Sequence, residues 1–193
     1  MDDLIKFIFT FVILLSIYLY IDRKQSSLIY VKSNIDNRVY LVRNVEDKQN
    51  AANLMSSIRQ KLDKLIVYLV QKYPKDDRGF RLKKKFNADN IEESESGSKY
   101  TSFSVNKGEK IVFCIRSKDK YANLEDENLI MFVALHELAH IMTLSIGHTD
   151  EFWNNFRFML KESIKIGIYK RHDFKKNPEK YCGTFITDTP LRD

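Results

Sequence analysis

Cysteine is scarce in this chain, with Cys114 and Cys182 the only two among 193 residues. They lie far apart, and nothing in them indicates a disulfide framework, so the fold is expected to rest on a packed core. No internal repeat is present. No motif interleaves basic and aromatic residues in the manner of a nucleic-acid binder, which makes nucleic acid an unlikely partner. What is plentiful is apolar: 44% of the residues are hydrophobic, enough for a core, and the length suits one compact domain plus a small addition.

The addition is expected at the front. Residues 4–21, LIKFIFTFVILLSIYLYI, hold one charged residue, Lys6, and one serine. As a helix they would extend about 27 Å, near the hydrocarbon thickness of a bilayer. A cleaved signal peptide fits less well, because the start is acidic (Asp2, Asp3) and the exit carries Tyr18, Tyr20, Asp22 and Arg23. Residues 1–21 therefore read as a single transmembrane anchor, 22–27 as a juxtamembrane linker and 28–193 as the main domain. Arg23, Lys24 and Lys32 follow the anchor and only Lys6 lies within it, which places the main domain in the cytoplasm by the positive-inside rule. The scarcity of cysteine agrees with that compartment. The whole chain carries a formal charge of +6, and clusters at Arg81, Lys83, Lys84 and Lys85 and at Lys170, Arg171, Lys175 and Lys176 would favour an anionic lipid surface.

An α+β domain is expected after the anchor. LIYVKS and RVYLVR alternate in polarity around a turn at residues 34–37, as two strands do. Residues 46–73 place Leu54, Ile58, Leu62, Leu65, Ile66 and Leu69 at three- and four-residue spacing before Pro74, as an amphipathic helix with a stop. A short basic helix is expected over 78–86, and EESESGS at 92–98 reads as an acidic loop. YTSFSV and KIVFCIR form strands around Asn106-Lys107-Gly108, and either could be the exposed edge. A helix capped by Asn123 or Asp126 follows, then one starting at Thr149 and ending near Gly167, then a polar tail.

Four histidines occur in the chain, and three of them are close together. His136, Glu137 and His140 spell H-E-x-x-H within LIMFVALHELAHIMTLSI, whose other residues are not ionisable. Two histidines four residues apart lie about 40° apart around a helix, so both rings can reach one ion, with Glu137 beside them. A helix apolar all round is buried, and buried ionisable groups call for pairing or coordination. This is a zinc peptidase arrangement.

A catalytic zinc ion takes three protein ligands and keeps one position open. His148 is the expected third ligand. On an unbroken helix it would lie about 12 Å beyond His140, so the helix must end before Gly147, where a positive φ turns the chain back. Glu162, on the following helix, is the chief rival, and Asp150 and Glu151 are lesser ones, better explained as acids at a helix start. Trp153 is expected to pack beneath His148. Tyr169, His172 and Tyr181 are candidates to stabilise an oxyanion, and Cys182 is expected to be a small buried residue.

HELAH, a seven-residue spacer, His148 and the phrase GHTDEFW resemble the SprT-like and WLM family of minimal zinc metallopeptidases, including its YgjP-like members. The resemblance is sharp over residues 132–156. With the tail Tyr181-Cys182-Gly183, it is greatest to membrane-anchored metallopeptidases of large DNA viruses and algae. It implies a minimal zincin-like domain, a small and mostly antiparallel sheet packed on helices. It also implies zinc (Zn2+) ligation by His136, His140 and His148 and a general-base role for Glu137. The spacer departs from the five residues usual in the family, and the metzincin pattern would put histidine where this chain has Ile146.

The expected activity is hydrolysis of peptide bonds in a protein or peptide substrate by a zinc-activated water, with Glu137 taking and returning the proton. The expected location is a single-pass membrane protein, at a host or virion membrane if the source is viral. Two alternatives stand beside it: a non-catalytic anchored module with a structural zinc site, and a DNA-associated protease for protein adducts.

Overall fold

The computed structural model describes residues 2–25 and 27–191, without the side chains of residues 2, 3, 19 and 21–25. The alternating segments pair as expected: β1 (Leu28–Lys32) and β2 (Val39–Arg43) run antiparallel, with Tyr30 opposite Leu41. Asn37 takes a left-handed conformation (φ 60) in the turn between them. The long amphipathic helix α2 (Lys48–Lys72) buries Met55, Ile58, Leu62, Leu65 and Leu69. Asp76 then caps the basic helix α3 (Asp77–Lys85) by accepting from the Arg78 backbone N–H.

The two helices act as a crossover, so the next strand, β3 (Ile91–Glu93), enters parallel to β2. This corrects the expectation of an acidic loop over 92–98 at residues 92 and 93, while 94–98 do form a loop. Glu93 is fully buried, accepting from Arg116 Nε at 2.8 Å and from the Arg43 backbone N–H at 2.8 Å. A carboxylate persists in an interior when charge and hydrogen bonds meet it there, and those partners are remote in sequence. β4 (Ser102–Val105) and β5 (Lys110–Phe113) form the expected hairpin, and β3 pairs parallel with β5.

The five strands lie in the order β1-β2-β3-β5-β4. Two of the four pairings are parallel, so the sheet is mixed rather than mostly antiparallel. The order also decides which strand of the second pair is at an edge: β4, with β1 at the other end of the sheet. Packed against this sheet and α2 are α4 (Glu127–Met142) and α5 (Asp150–Lys165), and one continuous core joins them.

Beyond α5 the chain forms a second hairpin, β6 (Glu179–Tyr181) and β7 (Thr184–Ile186), where a plain tail was expected. Cys182 (φ 48) and Gly183 (φ 86) make its two-residue turn. Cys182 is disulfide-bonded to Cys114, 68 residues earlier. The expectation that the two cysteines form no disulfide is thereby corrected: a covalent staple exists. The pairing follows from tertiary placement, which brings the turn of the second hairpin against the end of β5. Closing a loop of that length stabilises by about 4 kcal/mol in the chain-entropy account.

At the front, α1 (Asp2–Gln25) is helical into the expected linker. Its apolar side chains are exposed, from Leu4 (64%) to Tyr20 (67%), and none of those described joins the core. Among the described residues no helix is long and apolar enough to cross a membrane, so the span expected over residues 4–21 is not supported. Continuously described side chains run from 4 to 18, and part of the expected anchor and most of the linker lie outside them.

Candidate active site

Asp126 starts the helix that carries the motif, its carboxylate accepting from the Asn128 and Leu129 backbone N–H groups. α4 then buries eleven of its sixteen residues and stops at Met142, one turn sooner than the apolar run itself ends. Thr143 leaves the helix in an extended conformation. The early stop lets the chain reverse, and Gly147 takes the positive φ (+84°) that the sequence called for.

Three charged side chains hold this reversal. Arg81 donates to Met142 O at 2.5 Å, and Lys107 Nζ donates to Thr143 O (3.1 Å) and Leu144 O (2.9 Å). These cations satisfy carbonyls that the helix end leaves unpaired. From the other side, the Glu151 carboxylate accepts from Leu144 N–H (2.9 Å), Ser145 N–H (3.0 Å) and Ser145 Oγ (2.7 Å). The Leu144 N–H, then the Ser145 hydroxyl and N–H, pull the Glu151 carboxyl down to about 2.

The reversal delivers His148 to the helix pair. The Nε2 atoms of His136, His140 and His148 are 3.1 to 3.2 Å apart. Among the described residues these form the one cluster of three or more candidate ligands that could hold a metal ion. Two nitrogens each about 2.0 to 2.1 Å from a tetrahedral zinc ion would themselves be about 3.3 Å apart, so the three rings fit that ion. Burial lowers His136 to about 3, helped by His140 and His148, and burial with His148 and Lys107 lowers His140 to about 4. Both rings are therefore neutral near pH 7, the form that coordinates a metal.

Phe152 forms the floor. Its ring stacks on His140 at 4.2 Å between centroids and lies edge-on to His136 (4.9 Å) and His148 (4.7 Å). Trp153 flanks His148 at 5.5 Å. Glu137 lies beside the histidines, 7% exposed. Burial raises its carboxyl to about 7, with the Ser104 backbone N–H working in the opposite direction. The cleft around the three histidines is bordered by Ser102, Phe103 and Ser104 of the edge strand β4, which gives an extended peptide a strand edge to lie along.

Residues 35–190 match the WLM domain. The chain belongs to the WLM family. Protein R325 of Acanthamoeba polyphaga mimivirus is 37% identical to it over 174 residues, covering 88% of each chain. Protein 136R of Invertebrate iridescent virus 6 is 39% identical over 83 residues, covering 42% of this chain and 44% of its own. The crystal structure of Wss1 from Saccharomyces cerevisiae aligns with a TM-score of 0.47 and 24% identity, covering 63% of this chain and 82% of that one.

Within this WLM domain the rival ligands lie elsewhere. Glu162 is buried against Tyr68 Oη (3.0 Å) and Lys165 Nζ (2.5 Å). Burial pushes its carboxyl up, but hydrogen bonds from Lys165, Tyr68 and Tyr73 outweigh it and hold the carboxyl below its ordinary value. Asp150 is exposed at the first position of α5, and Glu151 serves the reversal.

Of the three oxyanion candidates, Tyr169 is buried against Phe132, and His172 pairs with Glu179 at 3.2 Å. Neither lines the cleft that holds the histidines. Tyr181 comes near Glu137, but its hydroxyl donates to Cys114 O at 2.6 Å and meets Ser102 Oγ at 2.9 Å. The roles of Arg81, Lys107 and Phe152 went unread because each depends on a contact across the fold. Only Phe152, three residues after Thr149 on the apolar face of its helix, left a local signal.

Proposed function

We propose that this WLM domain is a zinc-dependent metallopeptidase. The observation that carries the reading is the convergence of three imidazole Nε2 atoms within 3.2 Å of one another, with the Glu137 carboxyl alongside. His136, His140 and His148 would hold zinc. When bound, zinc lowers the pKa of a water in its open position and polarises the scissile carbonyl.

The chain's own residues would do the rest. The free edge of β4 aligns the substrate in extended form through main-chain hydrogen bonds. Glu137 takes a proton from the attacking water and returns it to the leaving nitrogen. A carboxylate whose burial favours the protonated form takes the water's proton more readily than one fully in water. Phe152 and the reversal at 143–148 keep the three rings in place before any substrate arrives.

Three converging ligands rather than four, opening onto a cleft, favour catalysis over a closed structural site. A membrane span forms no part of this reading. The test is zinc analysis combined with cleavage of a peptide library by the parent and by Glu137→Gln. About one zinc per chain is expected in both, with cleavage reduced roughly 10^2- to 10^4-fold in the variant. Equal cleavage by the two proteins would sink the mechanism.

A further inference from the structure

Beside the histidine cleft lies a larger cavity of about 620 Å3. It reaches His136 and Glu137, yet His140 and His148 do not line it. We propose that this cavity receives the side chain of the substrate residue that supplies the leaving nitrogen, and that it selects large apolar or aromatic residues there. The inference rests on the peptidase reading.

The position follows from the chemistry of Glu137. The carboxyl that returns a proton to the leaving nitrogen must lie beside the residue that bears it. A cavity sharing Glu137 and one histidine, and extending away from the other two, therefore lies on that residue's side of the scissile bond. Ser102 of β4 borders both cavities, so a peptide laid along the edge strand passes the mouth of the larger one.

The lining sets the class of side chain. Phe132, Phe156 and Tyr181 form the deep wall and are 6%, 1% and 1% exposed. At the mouth stand Trp153 and Phe185, which are 39% and 64% exposed. Besides Glu137, the charged residues that reach the cavity are Asp150 and Asp188, exposed at its rim, and the half-buried Arg157. A charged substrate side chain would lose hydration against the aromatic wall, whereas a phenyl or isobutyl group gains by burial.

The wall is also fastened in advance. Arg157 Nε donates to Pro190 O at 2.8 Å, and the disulfide at Cys182 anchors the hairpin that carries Tyr181 and Phe185. A preformed cavity with an aromatic wall is what a subsite for an apolar side chain requires.

Trp153 is the only tryptophan in the chain, so binding can be read without turnover. The probes are five blocked hexapeptides, Ala-Ala-Ala-Xaa-Ala-Ala, with Xaa as Phe, Leu, Ala, Lys or Asp. They are titrated into the zinc-loaded Glu137→Gln protein while Trp153 fluorescence is followed, and the zinc-loaded parent's cuts are mapped by mass spectrometry. The Phe and Leu peptides should bind roughly 10- to 100-fold more tightly than the Ala peptide, and cleavage should fall on the amino side of Xaa. Val133→Phe fills the cavity and Phe185→Ala removes part of its mouth; each should lower the Phe-to-Ala affinity ratio at least several-fold. Phe185 is exposed, so that variant keeps the core intact.

Equal affinities for all five peptides, a preference for Lys, cuts on the carboxyl side of Xaa, or an unchanged ratio in both variants would overturn the assignment. Cleavage regardless of Xaa removes this inference alone. If the zinc-loaded parent cuts no peptide or unfolded protein, the peptidase reading falls and takes this assignment with it.

Discussion

α1 and α4 are written in nearly the same alphabet and meet opposite fates. Both are apolar around most of their circumference, but α4 buries eleven of its sixteen residues, whereas the described apolar side chains of α1 stay exposed. In α1, Thr10 and Ser16 turn their hydroxyls back onto the carbonyls of Lys6 and Val12, so even its central polar groups are satisfied within the helix. In α4 the polar groups point outward to a shared centre. Composition tells that a helix will seek an apolar environment; the surrounding chain decides whether it finds one within the same molecule.

The widest contrast between the two is in stability. Leu138→Ala, at a fully buried α4 position, should cost roughly 2 to 5 kcal/mol in urea denaturation. Leu14→Ala in α1, where the side chain is 60% exposed, should stay within about 0.5 kcal/mol. Comparable losses at the two positions would mean that α1 packs on the domain after all.

A smaller effect tests what sets the polar face of α4 to use. Glu151→Ala removes the carboxylate that holds the Leu144 and Ser145 amides, so zinc affinity should fall roughly 10- to 100-fold in a chelator competition, as with other groups that orient metal ligands. An unchanged affinity would show that the chain reversal holds itself.

The smallest effect concerns Glu162. Its folded carboxyl titrates below the ordinary 4.5, so its stabilisation is present above that value and is lost as the pH falls through the folded one. The parent should therefore lose more stability than Glu162→Gln between pH 6 and pH 3, followed by thermal melts. Zinc per chain should be identical in the two proteins, and a drop in the variant would return Glu162 to the list of ligands.

Much of the candidate site was legible because it is local. The four-residue spacing of His136 and His140, the apolar run around them and Gly147 together required an early helix end and a returning His148, and α4 does stop at Met142. The amphipathic pattern of α2 and the alternation in β1 and β2 were local in the same sense. What escaped was held by distant partners. β3 looked like an acidic loop because the arginines that neutralise Glu93 lie 50 residues before it and 23 after it. The second hairpin, the disulfide and the aromatic cavity share that origin, for Tyr181 and Cys182 acquire their meaning only where they meet Cys114. Two cysteines carry no pattern from which a pairing could be read.

The bond between Cys114 and Cys182 closes a ring of chain that contains α4, the Gly147 reversal and α5. The three histidines and Glu137 lie inside that ring, while the β4 edge lies outside it. A single proteolytic nick between residues 115 and 181 would cut the backbone without releasing either part. The two pieces would remain one molecule until the disulfide was reduced.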